Sequence, residues 1–179
     1  MTRDEAASRL PWPDLRPVFG ELPWAVAGAV ATRRYMPERA TQDLEVVVLH
    51  GDASKARARL AEAGLRHEGE LSIGGSTWRT PEGVRIDVIE GREGWWPDAL
   101  SEADANRDEE GAPVLPLHYL VLMKLLASRV QDVADVTRML GLAPDEVLVR
   151  VREAVRSHAP EISDDLESLI ELGRLETRG

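Results

Sequence analysis

The chain has 179 residues, no cysteine and a formal net charge of −10 at pH 7. The lack of cysteine excludes disulfides and thiolate metal sites. The excess of acid disfavours non-specific binding to DNA and attachment to anionic membranes. No apolar run approaches the roughly 20 residues of a membrane span, and residues 1–10 lack the apolar core of a signal peptide. We therefore expect a folded cytoplasmic protein.

The first half of the chain mixes predicted strands and helices. A short helix and a proline-broken segment are predicted within the first 20 residues. Apolar and β-branched runs bounded by glycine predict strands, and capping residues such as Asp52 predict helix starts. The further predicted elements, in order, are strand 24–27, helix 29–36, strand 43–49, helix 52–63 and strands 65–73, 76–80 and 84–89.

The second half is predicted to be helical after an acidic connection. Residues 91–111 are interpreted as a loop, either a surface connection or a mobile lid, in which Trp95 and Trp96 form a core edge or a base-stacking platform. Helical spacing continues from Pro116, with Gly141 ending one helix and Pro144 at the first position of the next. The pattern predicts an α+β fold, with a mixed sheet flanked by helices in residues 1–111 and a helical region in residues 112–179.

Three carboxylates fall on predicted strands of this sheet. Asp43 and Glu45 are two residues apart, so their side chains point to the same face, while Leu44 points to the other. Asp87 lies between apolar residues on a later strand. Acids that share a face repel one another unless a cation lies between them. Three converging carboxylates would suit a pair of Mg²⁺ ions, whereas the alternative is a solvated strand face.

A small-residue turn precedes these acids. Gly28 and Ala29 lie where a predicted strand passes into a helix, and backbone N–H groups at such a turn can approach a phosphate. The alternative is a plain tight turn. Arg39 is interpreted either as a phosphate contact or as a loop salt bridge, and Lys124 either as a cation near the substrate or as a surface lysine on a helix.

Together these motifs resemble the polymerase β-type nucleotidyltransferase superfamily. The matching residues are Gly28-Ala29, the run Asp43-Leu44-Glu45-Val46 after thirteen intervening residues, and Asp87. The lead-in Arg39-Ala40-Thr41-Gln42-Asp43 and the helix sequence from Lys124 through Arg129 and Asp132 to Asp135 are similar to the small bacterial AbiEii-like branch. The resemblance covers residues 22–140 and implies a nucleotidyltransferase-like sheet.

The resemblance implies an activity and roles for named residues. The protein would move an NMP from an NTP to a hydroxyl of RNA, a protein or a small molecule, with two Mg²⁺ ions as cofactors. A tRNA is one possible RNA acceptor, and a toxin or phage-defence role with an antitoxin partner is implied by the branch. The residues with implied roles are Asp43, Glu45 and Asp87 as metal ligands and catalytic acids, Gly28, Ala29 and Arg39 in nucleotide binding, and Lys124 in both.

Two departures from the family pattern leave other hypotheses open. Ala29 stands where glycine or serine is usual, and Glu45 stands where aspartate is commoner. These changes are compatible with a catalytically degenerate module that binds a nucleotide or a partner on the same fold. A purely structural protein would place Asp43, Glu45 and Asp87 far apart.

Overall fold

The strands in the described part of the chain, residues 12–177 of the computed structural model, form one five-stranded mixed sheet. They are β1 Trp24–Ala27, β2 Asp43–Leu49, β3 Arg66–Glu70, β4 Gly75–Arg79 and β5 Arg85–Gly91. Their order in the sheet is β1-β2-β5-β4-β3; β2 and β5 are parallel and the other neighbours are antiparallel. The predicted α+β fold is therefore confirmed. The predicted N-terminal helix falls largely on residues 1–11, outside the described residues.

Helices lie before, between and after the strands. They are α1 Arg16–Phe19, α2 Gly28–Thr32, α3 Ala53–Glu62, α4 Trp96–Ala105, α5 Leu117–Ala127, α6 Val130–Leu142, α7 Asp145–His158 and α8 Ser163–Glu176. Single 3₁₀ turns occupy His50–Asp52 and Pro160–Ile162. None of the helices within residues 12–177 combines the length and the apolar character that crossing a bilayer requires.

The chain divides into two compact units. Within the described residues, the first unit, the α/β unit, comprises residues 12–30 and 39–114. The second, the helical unit, comprises residues 31–38 and 115–177. The helical unit thus takes a short segment from the first half of the chain. The predicted boundary at residue 111 stays a prediction.

Strand β2 shows why the sheet forms where the pattern predicts it. Leu44, Val46 and Val48 are at most 3% exposed, whereas Asp43 and Glu45 are half-buried. Alternate side chains therefore bury apolar area on one face and leave the carboxylates on the other. Since β2 is a central strand, this alternation places the acids in the middle of the sheet.

The predicted loop 91–111 is wrong over residues 96–105, which form α4. The buried residues Trp96, Ala99, Leu100 and Ala103 follow helical spacing, and Pro97 suits a first turn. Trp95 and Trp96 are 5% and 3% exposed, which confirms their interpretation as core residues.

Several helix boundaries also differ from the predictions; the predicted helix 29–36, for example, ends at Thr32. Gly141 lies inside α6, which runs on to Leu142, rather than ending the helix. Pro144 is the residue before α7 rather than its first residue. A glycine in a helix end is an ambiguous signal, since close packing against a neighbour selects glycine as well as a cap does.

Close packing explains Gly141. A Cβ atom at this position would lie 2.3 Å from the carbonyl oxygen of Gly173 in α8, and one on Gly173 would lie 2.1 Å from the carbonyl oxygen of Thr137. The backbones of α6 and α8 therefore meet with no room for side chains at this point.

Substitution of Gly141 tests this helix contact. We expect Gly141→Ala to lower the free energy of unfolding by about 1–3 kcal/mol, because the obstructing atoms belong to backbone that cannot rotate away. Urea unfolding measures the change. Gly94→Ala is the control, since a Cβ atom there meets nothing within 4 Å. Equal stability of the two variants would contradict the close contact.

Candidate active site

The parallel pairing of β2 with β5 brings the three predicted acids to adjacent positions. Asp87 is the register partner of Glu45, and Arg85 is the partner of Asp43. Ala27 of β1 lies opposite Glu45 on the other side. Paired residues share a face of the sheet, and neighbouring strands are about 4.8 Å apart. Asp43, Glu45 and Asp87 therefore lie on one face, as the strand patterns predict.

The Asp87 carboxylate is bound on both oxygens. Arg85 donates through Nε to Oδ1 and through Nη2 to Oδ2, both at 3.1 Å, and Thr77 of β4 donates its hydroxyl to Oδ1 at 2.7 Å. Asp87 is 7% exposed, whereas the Arg85 side chain is 45% exposed. The buried acid is thus neutralised by a cation that reaches it from the solvent side.

Asp43 interacts with the same guanidinium at longer range. The hydrogen bonds from Arg85 to Asp87 raise the pKa of Arg85, and attraction to Asp87 and then to Asp43 adds to the rise. Asp43 also accepts a hydrogen bond from the Thr41 hydroxyl at 2.8 Å. Arg85 is therefore a permanently charged group beside two of the three acids.

Glu45 occupies the space above the glycine turn. Gly28 has φ +59°, a left-handed conformation that favours glycine, and begins α2 directly after β1. A Cβ atom on Gly28 would lie 1.7 Å from Oε2 of Glu45. The carboxylate of Glu45 therefore lies directly against the glycine turn.

The donor set suits a hard divalent cation, although the side chains do not form its site in this arrangement. Asp43, Glu45 and Asp87 supply only carboxylate oxygens, which Mg²⁺ prefers. Among residues 12–177, no three acidic or histidine side chains are arranged to hold a metal ion. The cation that these acids require is present as Arg85, so the residues fit a metal provided that the guanidinium moves away.

Two further predicted nucleotide-binding residues, Ala29 and Arg39, belong to the same unit. Ala29 is 4% exposed and lies in the first turn of α2, next to Gly28. Arg39 is half-buried and lies four residues before the first residue of β2. Their predicted contacts with a nucleotide stay predictions.

Lys124 lies in the helical unit, within a buried ion cluster. Its ammonium donates to Oδ1 of Asp132 at 2.8 Å and to Oδ2 of Asp135 at 3.0 Å, and all three residues are at most 3% exposed. Arg129 donates to Asp132 at 2.6 Å, as the i, i+3 spacing predicts. Ser128, with φ +53°, ends α5 and lets α6 return beside it. The cluster therefore links α5 to α6.

Sequence reasoning did not identify Arg85 and Thr77 as members of the site. Arg85 is two residues before Asp87, so strand alternation alone puts both side chains on one face. The position of Thr77 depends on the β4–β5 register, which pairs it with Asp87. The first residue could be found from the strand pattern, whereas the second required the sheet.

Comparison with known proteins finds likeness at the level of structure. The solution structure of the antibiotic-resistance factor ANT(2'')-Ia is 19% identical over 92% of this chain and 89% of that chain, with a TM-score of 0.48. The crystal structure of ANT(2'')-Ia in complex with adenylyl-2''-tobramycin is 18% identical over 91% and 94%, with a TM-score of 0.48.

A third similar structure is a candidate nucleotidyltransferase from Thermotoga maritima, 17% identical over 75% of this chain and 91% of that chain, with a TM-score of 0.48. No protein-family model matches the sequence, and no curated protein matches it. At these identities the likeness concerns the fold, so the activity and the AbiEii-like branch stay predictions.

Substitution of Gly28 tests the contact with Glu45. We expect Gly28→Ala to lose about 1–2 kcal/mol of stability from its left-handed backbone, and a further amount because Glu45 must move. Gly64→Ala, with φ +85° and open space around its Cβ, is the control for backbone strain alone. Adding Glu45→Ala should restore stability to Gly28→Ala but not to Gly64→Ala. If Glu45→Ala changes the free energy of unfolding equally in the Gly28→Ala and Gly64→Ala variants, as measured by chemical unfolding, the contact between Gly28 and Glu45 is contradicted.

Removal of the Lys124 ammonium tests the buried cluster. We expect Lys124→Met to lower the free energy of unfolding by about 3–5 kcal/mol, since Asp132 and Asp135 would stay buried without their cation. Thermal and urea unfolding measure the loss. The control is Lys55→Met, whose side chain is 71% exposed. A Lys124 variant as stable as wild type would show that the helix pair does not depend on this charge.

Proposed function

We propose that the protein is a nucleotidyltransferase that moves an NMP from an NTP to a hydroxyl acceptor. The observation that carries the proposal is the juxtaposition of Asp43, Glu45 and Asp87 on one sheet face, beside the left-handed turn at Gly28. A group of acids on an inner part of a sheet buries no apolar area and so does not stabilise the hydrophobic core. It costs repulsion that a bound cation would relieve.

In the proposed reaction the acceptor oxygen attacks the α-phosphorus of the NTP. The bond between the α- and β-phosphates breaks, pyrophosphate leaves, and the proton of the acceptor hydroxyl passes by way of Asp87 to water. Asp43 and Glu45 would hold both Mg²⁺ ions and Asp87 one of them. The ions would supply positive charge to the attacking and leaving oxygens.

The proposed site forms through two side-chain rotations. Arg85 leaves Asp87, and Glu45 turns away from Gly28 towards Asp43. Since the guanidinium is about half exposed, it can turn towards solvent, and a divalent cation can take its place beside Asp87. The withdrawal of Glu45 uncovers Gly28 and Ala29, whose amide groups would then face the β- and γ-phosphates, with Arg39 as a further phosphate contact.

The acceptor is proposed by class only. The formal charge of −10 disfavours a polynucleotide held by a broad basic surface and favours a small molecule or an acceptor delivered by a partner. RNA and protein hydroxyls stay within the proposal. The toxin or phage-defence role with an antitoxin rests on the sequence resemblance alone, and so does the role of Lys124 near the substrate.

A second candidate function is a catalytically degenerate module that binds a nucleotide or a partner. The observation that favours it is the mutual satisfaction of the site: Asp87 is neutralised by Arg85 and Thr77, and Glu45 covers Gly28. If the two rotations do not occur, the acids hold no metal and the phosphates have no access.

Calorimetry with Mg²⁺ and each NTP tests the proposal. We expect wild type to bind one NTP in a Mg²⁺-dependent manner and Asp43→Asn to bind it at least about tenfold more weakly, because one shared ligand to the cation is lost. Asp104→Asn, an exposed aspartate of α4, is the control and should bind as wild type does. Equal binding by wild type and Asp43→Asn, or binding by neither, would contradict the proposed site.

A transfer assay separates the two candidate functions. The protein is incubated with NTP labelled at the α-phosphate and with cell extract, and labelled acceptors are identified. Label transfer that Asp43→Asn abolishes supports the nucleotidyltransferase. Absence of transfer, together with Mg²⁺-dependent NTP binding that is absent or equal in wild type and Asp43→Asn, favours the degenerate module.

A further inference from the structure

The pairing of Arg85 with Asp87 places a positively charged side chain where the proposed function requires a metal ion. The guanidinium uses two donors on the two Asp87 oxygens, and Thr77 adds a third hydrogen bond to Oδ1. A planar guanidinium and a carboxylate match each other in this two-point geometry. Each oxygen of Asp87 therefore already accepts a hydrogen bond from Arg85 while the guanidinium is bound.

Occupation of Asp87 by Arg85 and by a divalent cation is mutually exclusive. Both partners carry positive charge, and both would bind the same carboxylate, which is only 7% exposed. Two cations on one small, buried anion would repel each other strongly. The half-exposed Arg85 side chain, by contrast, has space to leave towards solvent.

We infer that Arg85 is a built-in competitor of the divalent cation, so that Asp87 takes up a metal only as the guanidinium departs. This inference rests on the proposed function and adds a residue that controls metal uptake. Arg85 acts through Asp87 and is a positioning residue rather than a catalytic one.

The competition couples the metal to the nucleotide. A guanidinium that leaves a carboxylate is stabilised best by pairing with another anion. The phosphates of an incoming NTP would provide such an anion on the same face of the sheet. Binding of the nucleotide then favours release of Asp87, and by linkage a bound metal favours binding of the nucleotide. The site would thus hold little metal until the substrate arrives.

Arg79 offers a matched control on the same face. It is the register partner of Arg85 on β4, and its guanidinium is paired with Glu68 at 2.6 Å and 2.8 Å. Arg79→Met removes one positive charge near the site without freeing Asp87. Any effect of net charge alone appears in this variant as well.

The test measures Mn²⁺ binding to the full chain without nucleotide, by the electron paramagnetic resonance signal of the free ion. We expect Arg85→Met to bind Mn²⁺ about five- to tenfold more tightly than wild type, the range that loss of a competing two-point ion pair implies. Arg79→Met should stay within about twofold of wild type. Asp87→Asn added to Arg85→Met should abolish the gain.

A second variant at the same position, Arg85→Lys, controls for loss of folding in Arg85→Met. Arg85→Lys keeps the charge but lacks the planar two-point contact, so its Mn²⁺ affinity should lie between those of wild type and Arg85→Met. Circular dichroism checks that each variant retains its secondary structure. A gain shared equally by Arg79→Met would overturn the inference, because it would reflect charge alone.

The outcomes distinguish the inference from the proposed function. If wild type binds Mn²⁺ through Asp43 and Arg85→Met binds it no more tightly, the competition is overturned and the nucleotidyltransferase site stands. If no variant binds Mn²⁺, with or without NTP, both the metal site and the competition are overturned. A gain in Arg85→Met that needs Asp87 supports both.

Discussion

The parallel pairing of β2 with β5 is the constraint on which the candidate site depends. It sets Glu45 opposite Asp87 and Asp43 opposite Arg85, so three acids and one base share a small area of one sheet face. Carboxylates this close repel each other, and the guanidinium of Arg85 relieves that repulsion at Asp87. A shift of the register by one residue would turn one strand's charges into the core.

The two units of the chain handle buried charge in different ways. In the α/β unit, Asp87 is paired with a side chain that is half exposed to solvent and can exchange. In the helical unit, Lys124 is paired with Asp132 and Asp135, and all three are almost fully buried. Exposed ion pairs contribute little to stability, whereas breaking a buried one costs several kcal/mol. The first arrangement suits a binding site, and the second suits a fixed joint between helices.

Local sequence patterns predict strands and helices correctly where buried residues recur with the repeat of the element, every second residue in a strand or every three to four in a helix. Residues 43–46 of β2 alternate between acidic and apolar, and an apolar, β-branched run follows. The position of the strand and the common face of Asp43 and Glu45 therefore follow from the sequence. The acidic surface of helix α4 is typical of a loop, so its composition conceals the helix. Its helical period is carried by the buried residues Trp96, Ala99, Leu100 and Ala103. Gly141 was misinterpreted because its glycine serves a contact with Gly173, a residue that is distant in the chain.

The sequence by itself determined the α+β class, the strands that carry the acids and the glycine turn before them, because each of these depends on residues within a few positions of one another. Only the tertiary structure decided that Thr77 and Arg85 occupy the oxygens of Asp87, that Glu45 covers Gly28, and that Lys124 is enclosed by Asp132 and Asp135. These contacts depend on strand register, rotamers and helix packing. Such features depend on packing between parts of the chain that are distant in sequence, so they produce no repeating pattern in the sequence.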